Sequence, residues 1–149
     1  AGVTSPGRLE LVRSSPTGLV DAAHNPAGAR AAVEAMNEAF AFDRLVGVFG
    51  VMGDKDVEGI LVELEGALAE IVVTHSSSVR SMELDDLADL ASDVFGEDRV
   101  HVVERLDEAL ALAVDLAEND AEGVGVGSGV VALGSVVLAA EVRTLLGRS

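Results

Sequence analysis

The chain predicts an α/β fold of three layers: a mostly parallel six-stranded sheet between two layers of helices, with one antiparallel strand at its N-terminal edge. Two observations lead there. Apolar periodicity switches repeatedly between two and 3.6 residues, and the runs Val46-Gly47-Val48-Phe49, Ile71-Val72-Val73 and Val100 to Val103 are largely apolar on both faces. Strands of that kind, alternating with helices of ten or more residues, are buried on both sides in a parallel sheet. The edge strand follows from a third observation. Only Arg13-Ser14-Ser15-Pro16-Thr17 separates the first two β-rich runs, enough for a hairpin and too little for a crossover.

Taken in order, Leu9 to Val12 and Gly18 to Ala22 form that hairpin. Ala29, Ala32, Val33, Met36 and Phe40 then recur at i, i+3, i+4, i+7 and i+11, a helical stripe, before a strand at Leu45 to Met52. Val57, Ile60, Leu61, Leu64 and Leu68 repeat the stripe and lead to a strand at Glu70 to His75. Leu84, Leu87, Ala88, Ala91, Val94 and Phe95 make the third helix, followed by a strand at Arg99 to Glu104. Leu106, Ala109, Leu110, Ala113, Val114 and Ala117 make the fourth, followed by a glycine-rich strand at Gly123 to Gly134. A last helix runs from Ser135 to Leu146, with Gly147 as its stop. The pattern is Rossmann-like, and no linker, repeat or low-complexity run divides the 149 residues.

Charge narrows the function. Against 10 Lys+Arg stand 26 Asp+Glu, a formal charge of -16, which excludes a nucleic-acid backbone binder and argues against docking on an anionic membrane. With 49% apolar residues the chain is not a solvated acidic tail, and no apolar run approaches the ~20 residues of a membrane span. The lack of cysteine excludes disulfides and thiolate metal sites and leans the expected compartment toward the cytoplasm. Nine of the ten basic residues are Arg, and Lys55 is the single lysine. On a folded surface of ~7000 Å² the charge amounts to one per roughly 450 Å². Acid excess with so little lysine is the composition of proteins adapted to high salt.

Ligands of such sheets bind beyond the carboxyl ends of the strands, where loops lead into helix N-termini. Four segments fall there. In Asp21-Ala22-Ala23-His24-Asn25-Pro26, Asn25 suits the N-cap and Pro26 the first helical position, so an anion is favoured at the helix start. Asp21 can accept hydrogen bonds from ribose hydroxyls or cap a backbone turn, and His24 can donate to a phosphate or acyl oxygen or be a plain loop residue. In Gly50-Val51-Met52-Gly53-Asp54-Lys55-Asp56, glycines allow close approach of a ligand, and a lysine between two aspartates is a cation poised for a carboxylate or phosphate, or the segment is an exposed helix start with Asp56 as N-cap. Gly134-Ser135 offers a hydroxyl and a helix start to a carboxylate. Pro6-Gly7-Arg8 offers a guanidinium that can stack on a nucleobase or clamp a phosphate. His101 reads as a strand side chain, His75 ends a strand and can line the crevice or be a plain strand residue, the second being favoured, and Gly123 to Gly129 misses the G-x-G-x-x-G spacing of a dinucleotide loop.

Together, T-S-P-G-R-L-E (Thr4 to Glu10), D-A-A-H-N-P-A-G (Asp21 to Gly28), F-G-x-M-G-D-K-D (Phe49 to Asp56) and G-S-V-V-L-A-A-E-V-R (Gly134 to Arg143) resemble the C-terminal domain of folylpolyglutamate synthase/dihydrofolate synthase, in the Mur ligase superfamily. The resemblance implies a fold of the Mur ligase C-terminal type and an ATP-dependent ligase that adds L-glutamate to folate or dihydropteroate through an acyl phosphate. It implies that Arg8 and Asp21 bind ATP, that His24 faces the acyl-phosphate region, and that Lys55 and Ser135 receive the glutamate. No G-x-x-x-x-G-K-[ST] occurs, so the triphosphate and Mg²⁺ would be held by an N-terminal ATPase domain of the same polypeptide. Residues 1–149 would then be one domain of a longer chain, which fits the start at Ala1-Gly2-Val3 without Met, although removal of an initiator Met would look the same. A free-standing nucleotide-binding or interaction module without catalysis is the competing expectation.

Overall fold

Each helical stripe and β-run of the sequence becomes an element of the computed structural model, which describes residues 10–14, 17–40, 44–119 and 127–146. The strands are β1 (Glu10–Ser14), β2 (Thr17–Asp21), β3 (Arg44–Phe49), β4 (Glu70–Val73), β5 (Val100–Val102) and β6 (Ser128–Leu133). The helices are α1 (Pro26–Ala39), α2 (Val57–Glu65), α3 (Leu84–Phe95), α4 (Leu106–Asn119) and α5 (Val136–Leu146). No helix among the described residues is long and apolar enough to cross a membrane.

The sheet order is β1-β2-β6-β3-β4-β5. Five strands run parallel, and β1 lies antiparallel on the outer edge of β2. The chain leaves β2 past one open position to β3, moves outward through β4 and β5, and returns to fill the gap with β6. Because crossovers are right-handed, the outward steps put α1, α2 and α3 on one face and the return puts α4 on the other. The strands serve both layers by simple alternation. Leu19, Leu45, Phe49, Ile71, Val73, Val131 and Leu133 join the α1–α3 side of the core. Val20, Val46, Val48, Val72, Val130 and Ala132 join the α4–α5 side. The runs in β3, β4 and β6 are thus buried on both faces, as a parallel sheet requires, whereas Val100–Val102, apolar on both faces in the sequence, forms the edge strand β5 and leaves Val102 half exposed.

Several expected bounds contract. The strand expected to reach Met52 ends at Phe49, because Gly50 turns away so closely that a Cβ there would stand 3.0 Å from the Thr74 carbonyl oxygen. The glycine-rich strand starts at Ser128, after Gly127 with φ of 82°, and 123–126 lie outside the described residues. The α2 helix ends at Glu65, and Arg99 explains why the stop is stable. Its guanidinium donates to the carbonyls of Glu65, Leu68 and Ala69 at 2.8, 2.6 and 3.1 Å, satisfying oxygens that a helix end leaves unpaired. At the start of β4, Glu70 accepts from both Arg44 and His101, the latter at 2.6 Å. Burial, and then the Arg44 guanidinium, push the His101 imidazole below its ordinary pKa, so it serves as a neutral strand side chain.

The folded surface of 7542 Å² carries -16, about 470 Å² per net charge. Screening shortens from about 10 Å at 0.1 M salt to about 3 Å at 1 M, so self-repulsion fades over that range. The melting temperature of the chain is therefore expected to rise by several degrees between low and molar salt. A flat or falling value in a thermal scan would remove the high-salt reading.

Candidate functional site

Asp21, Leu133, Phe49, Val73 and Val102 pair in one row across the sheet, so the connections leaving β2, β6, β3, β4 and β5 start level. From that row β2 and β3 feed helices on one face while β6, between them, feeds α5 on the other. The connections part on either side of β6, which is the switch point where open α/β sheets bind ligands.

Close packing brings the parting loops together. Gly134, just past β6, has φ of 124°, and a Cβ on it would run into the Gly50 carbonyl and stand 3.1 Å from Phe49 Cε1. On the other side, a Cβ on Gly59 in the first turn of α2 would lie 2.8 Å from Pro26 Cγ in the first turn of α1. The starts of α1 and α2 therefore abut. Each of the three helices that begin here is capped by the side chain before it. Gly28 N–H donates to Asn25 Oδ1 at 2.7 Å, Gly59 N–H to Asp56 Oδ1 at 3.0 Å, and Leu138 N–H to Ser135 Oγ at 3.0 Å. Three positive helix ends converge in a strongly acidic chain, which makes the crevice locally favourable to anions.

The predicted site residues fall as follows. Asp21 is 8% exposed, and its Oδ1 accepts the Ala23 N–H at 2.8 Å, closing the turn that leads to α1. Exposed His24 donates through Nδ1 to Ala22 O at 3.2 Å, which leaves Nε2 directed away from that bond. Ser135 is buried and caps α5, so the oxygen is engaged by the helix while the hydroxyl hydrogen remains a donor. Arg8 lies outside the described residues.

Lys55 stands apart from five of the described arginines. Arg30, Arg44, Arg80, Arg99 and Arg105 each meet a carboxylate, whereas the Lys55 side chain enters no hydrogen bond or ion pair among the described residues. Its two aspartate neighbours are otherwise engaged. Asp56 caps α2, and Asp54 Oδ2 takes the Arg80 guanidinium at 3.0 Å. Lys55 is thus a half-exposed cation at the joined helix starts with no side-chain partner among the described residues.

Sequence reasoning missed the connection after β4, from Thr74 to Met82, apart from weighing His75 as a residue that can line the crevice. It forms the second wall of the crevice by fastening to the β3 connection. Met52 and Ser81 make a β-bridge, Gly53 N–H donates to Arg80 O at 3.0 Å, and Met82 N–H donates to Val51 O at 2.8 Å. Within it, the Ser76 and Ser81 hydroxyls bond each other at 2.8 Å. The only sequence signal was position, a polar run directly after a strand end. His75 and Glu104 line both of two cavities, of about 390 and 600 Å³, and neither cavity is lined by Asp21, His24, Lys55 or Ser135.

Fold and site together define an open α/β domain with an anion-receptive crevice at its switch point. The chain belongs to the Mur ligase family, matching its glutamate ligase domain over residues 7–135. It is 47% identical over 99% of its length to the dihydrofolate synthase/folylpolyglutamate synthase of Mycobacterium tuberculosis, of which it covers 32%. It is 33% identical over 93% of its length to a probable bifunctional folylpolyglutamate synthase/dihydropteroate synthase of Halobacterium salinarum, covering 16% of that protein. Among solved structures it superposes on the mycobacterial folylpolyglutamate synthase complexed with ADP with a TM-score of 0.92 at 48% identity, over 99% of this chain and 33% of that one. The chain thus spans about a third of the mycobacterial relative's length.

Proposed function

We propose that the chain is the C-terminal domain of an ATP-dependent ligase that adds L-glutamate to a folate or dihydropteroate acceptor, working with an N-terminal ATPase domain of the same polypeptide. The observation that carries this reading is the near-complete superposition, at 48% identity, on a synthase that holds ADP. In the reaction the acceptor carboxylate attacks the γ-phosphorus of ATP, giving an acyl phosphate and ADP. The glutamate amine then adds to the acyl carbon and loses a proton, and the tetrahedral intermediate expels phosphate.

The part taken by this chain is reception and positioning. Asp21 and Arg8 hold the nucleotide, Asp21 by accepting its ribose hydroxyls. His24, exposed just before α1, faces the acyl phosphate. Lys55 and Ser135 receive the glutamate, the ammonium pairing with a carboxylate and the hydroxyl donating to it. Support for Lys55 comes from its lack of any partner among the described residues, in contrast to the paired arginines. Mg²⁺ supplies charge neutralisation of the phosphates and in this reading is bound outside the described residues. Among those, no three His, Cys, Asp or Glu side chains come together to hold an ion.

The test is ligation by the full-length protein with dihydropteroate and tetrahydrofolate offered separately as acceptors. ATP-dependent incorporation of glutamate into either supports the reading, and none into both defeats it. Lys55→Ala is expected to raise the KM for glutamate about tenfold or more, in line with loss of one charged hydrogen bond worth about 1.5–3 kcal/mol. Normal glutamate saturation in that variant would sink the Lys55 role.

A further inference from the structure

We infer that Arg80 is a positioning residue for glutamate capture: by holding Asp54 it keeps that carboxylate from neutralising or shielding Lys55. The inference rests on the proposed role of Lys55 and adds a residue from a different connection of the fold.

Three observations carry it. Asp54 is the chain neighbour of Lys55, and the only ion pair of its carboxylate among the described residues is with Arg80, at 3.0 Å. The other neighbour, Asp56, is committed to the first turn of α2 through Gly59 N–H. Both carboxylates flanking the sole lysine are therefore occupied, one by a helix and one by an arginine from the connection after β4. Lastly, the backbone holds Arg80 over this loop independently of its side chain, through Gly53 N–H to Arg80 O at 3.0 Å, Met82 N–H to Val51 O at 2.8 Å and the Met52–Ser81 bridge. The Arg80 side chain is thus dispensable for joining the two connections, and its charge is what the pair contributes.

The chemistry of the ligand explains why that charge matters. Glutamate brings two carboxylates and one ammonium to a domain of net charge -16, so an uncompensated Asp54 beside Lys55 would both compete for the ammonium and repel the substrate. Arg80 and Asp54 are 69% and 54% exposed, where an ion pair adds little to folding. The expected effect is accordingly on ligand binding and not on stability.

The experiment is steady-state ligation by the full-length protein, with glutamate varied at saturating ATP and acceptor. Arg80→Ala is expected to raise the KM for glutamate about five- to tenfold, with kcat and the KM for ATP changed less than twofold and the melting temperature unchanged. Adding Asp54→Asn to Arg80→Ala is expected to restore the glutamate KM to within about twofold of the unmodified protein, since the anion that needed holding is gone. Retention of the full defect in the double variant would overturn the inference, because Arg80 would then act on the ligand directly or through the fold. An unchanged glutamate KM in Arg80→Ala would overturn it as well. Lys55→Ala assayed in parallel separates the layers: a Lys55 defect without an Arg80 defect defeats only the positioning, whereas normal saturation in Lys55→Ala defeats the receptor role beneath it.

Discussion

Gly134→Ala is expected to destabilise the chain by about 3–5 kcal/mol and to lower its melting temperature by about 10 °C or more. Two separate costs combine. At φ of 124° an L-residue is strained, a cost of about 1–3 kcal/mol. The added Cβ would also meet backbone, standing 2.9 Å from the Gly50 carbonyl carbon, and the buried Phe49 ring, 3.1 Å from its Cε1, and backbone held at the end of β3 does not move aside as the end of a flexible side chain does. Relief would require β3 and β6 to part at their carboxyl ends, where the crevice is built. Gly66→Ala provides the contrast. Gly66 has φ of -76° at the end of α2, and a Cβ there meets nothing within 4 Å, so the same substitution is expected to be neutral or to stabilise by up to about 1 kcal/mol. Thermal or urea unfolding of both variants decides it, and equal stabilities would show that the β3–β6 approach is not the constraint described.

What the sequence revealed and concealed follows from the range of the interactions involved. Periods of 3.6 and two are local, so the stripes at Val57, Ile60, Leu61 and Leu64 and at Leu84, Leu87 and Ala91 marked α2 and α3 directly, and these residues are buried apart from half-buried Leu84. The insertion of β6 between β2 and β3 is set by pairings such as Leu19 with Val131, more than a hundred residues apart, and leaves no local trace. The candidate site divides in the same way. Asn25-Pro26 and Gly134-Ser135 announced helix starts through capping chemistry, and Lys55 announced itself by rarity. Arg80 did not, because its importance depends on the Thr74–Met82 connection lying over the β3 connection, and nothing in Ser76-Ser77-Ser78-Val79-Arg80 specifies that. Asp21 and Ser135 illustrate a further limit. Both were weighed for ligand binding on position, and in the fold both also hold backbone N–H groups, so position alone could not separate the two roles.

For Asp21 the separation can be made by experiment. Asp21→Ala in the full-length protein is expected to raise the KM for ATP more than tenfold, the loss of a charge-assisted hydrogen bond to ribose of about 1.5–3 kcal/mol. The same substitution removes the bond from Ala23 N–H at 2.8 Å, which shapes the turn into α1, so a KM effect alone would not distinguish contact from scaffold. Asp21→Asn does distinguish them. Its amide oxygen can still accept the Ala23 N–H, while the charge that strengthens a ribose bond is gone, so the melting temperature should hold and the KM for ATP should rise several-fold. The nucleotide provides the second axis. If Asp21 holds the ribose, the unmodified protein discriminates ATP from its 2′,3′-dideoxy analogue, and that discrimination collapses toward unity in Asp21→Ala, because the two partners of one bond have been removed in turn. A discrimination that survives in Asp21→Ala, accompanied by a fall in melting temperature, would assign Asp21 to the turn alone and move ribose recognition elsewhere in the crevice.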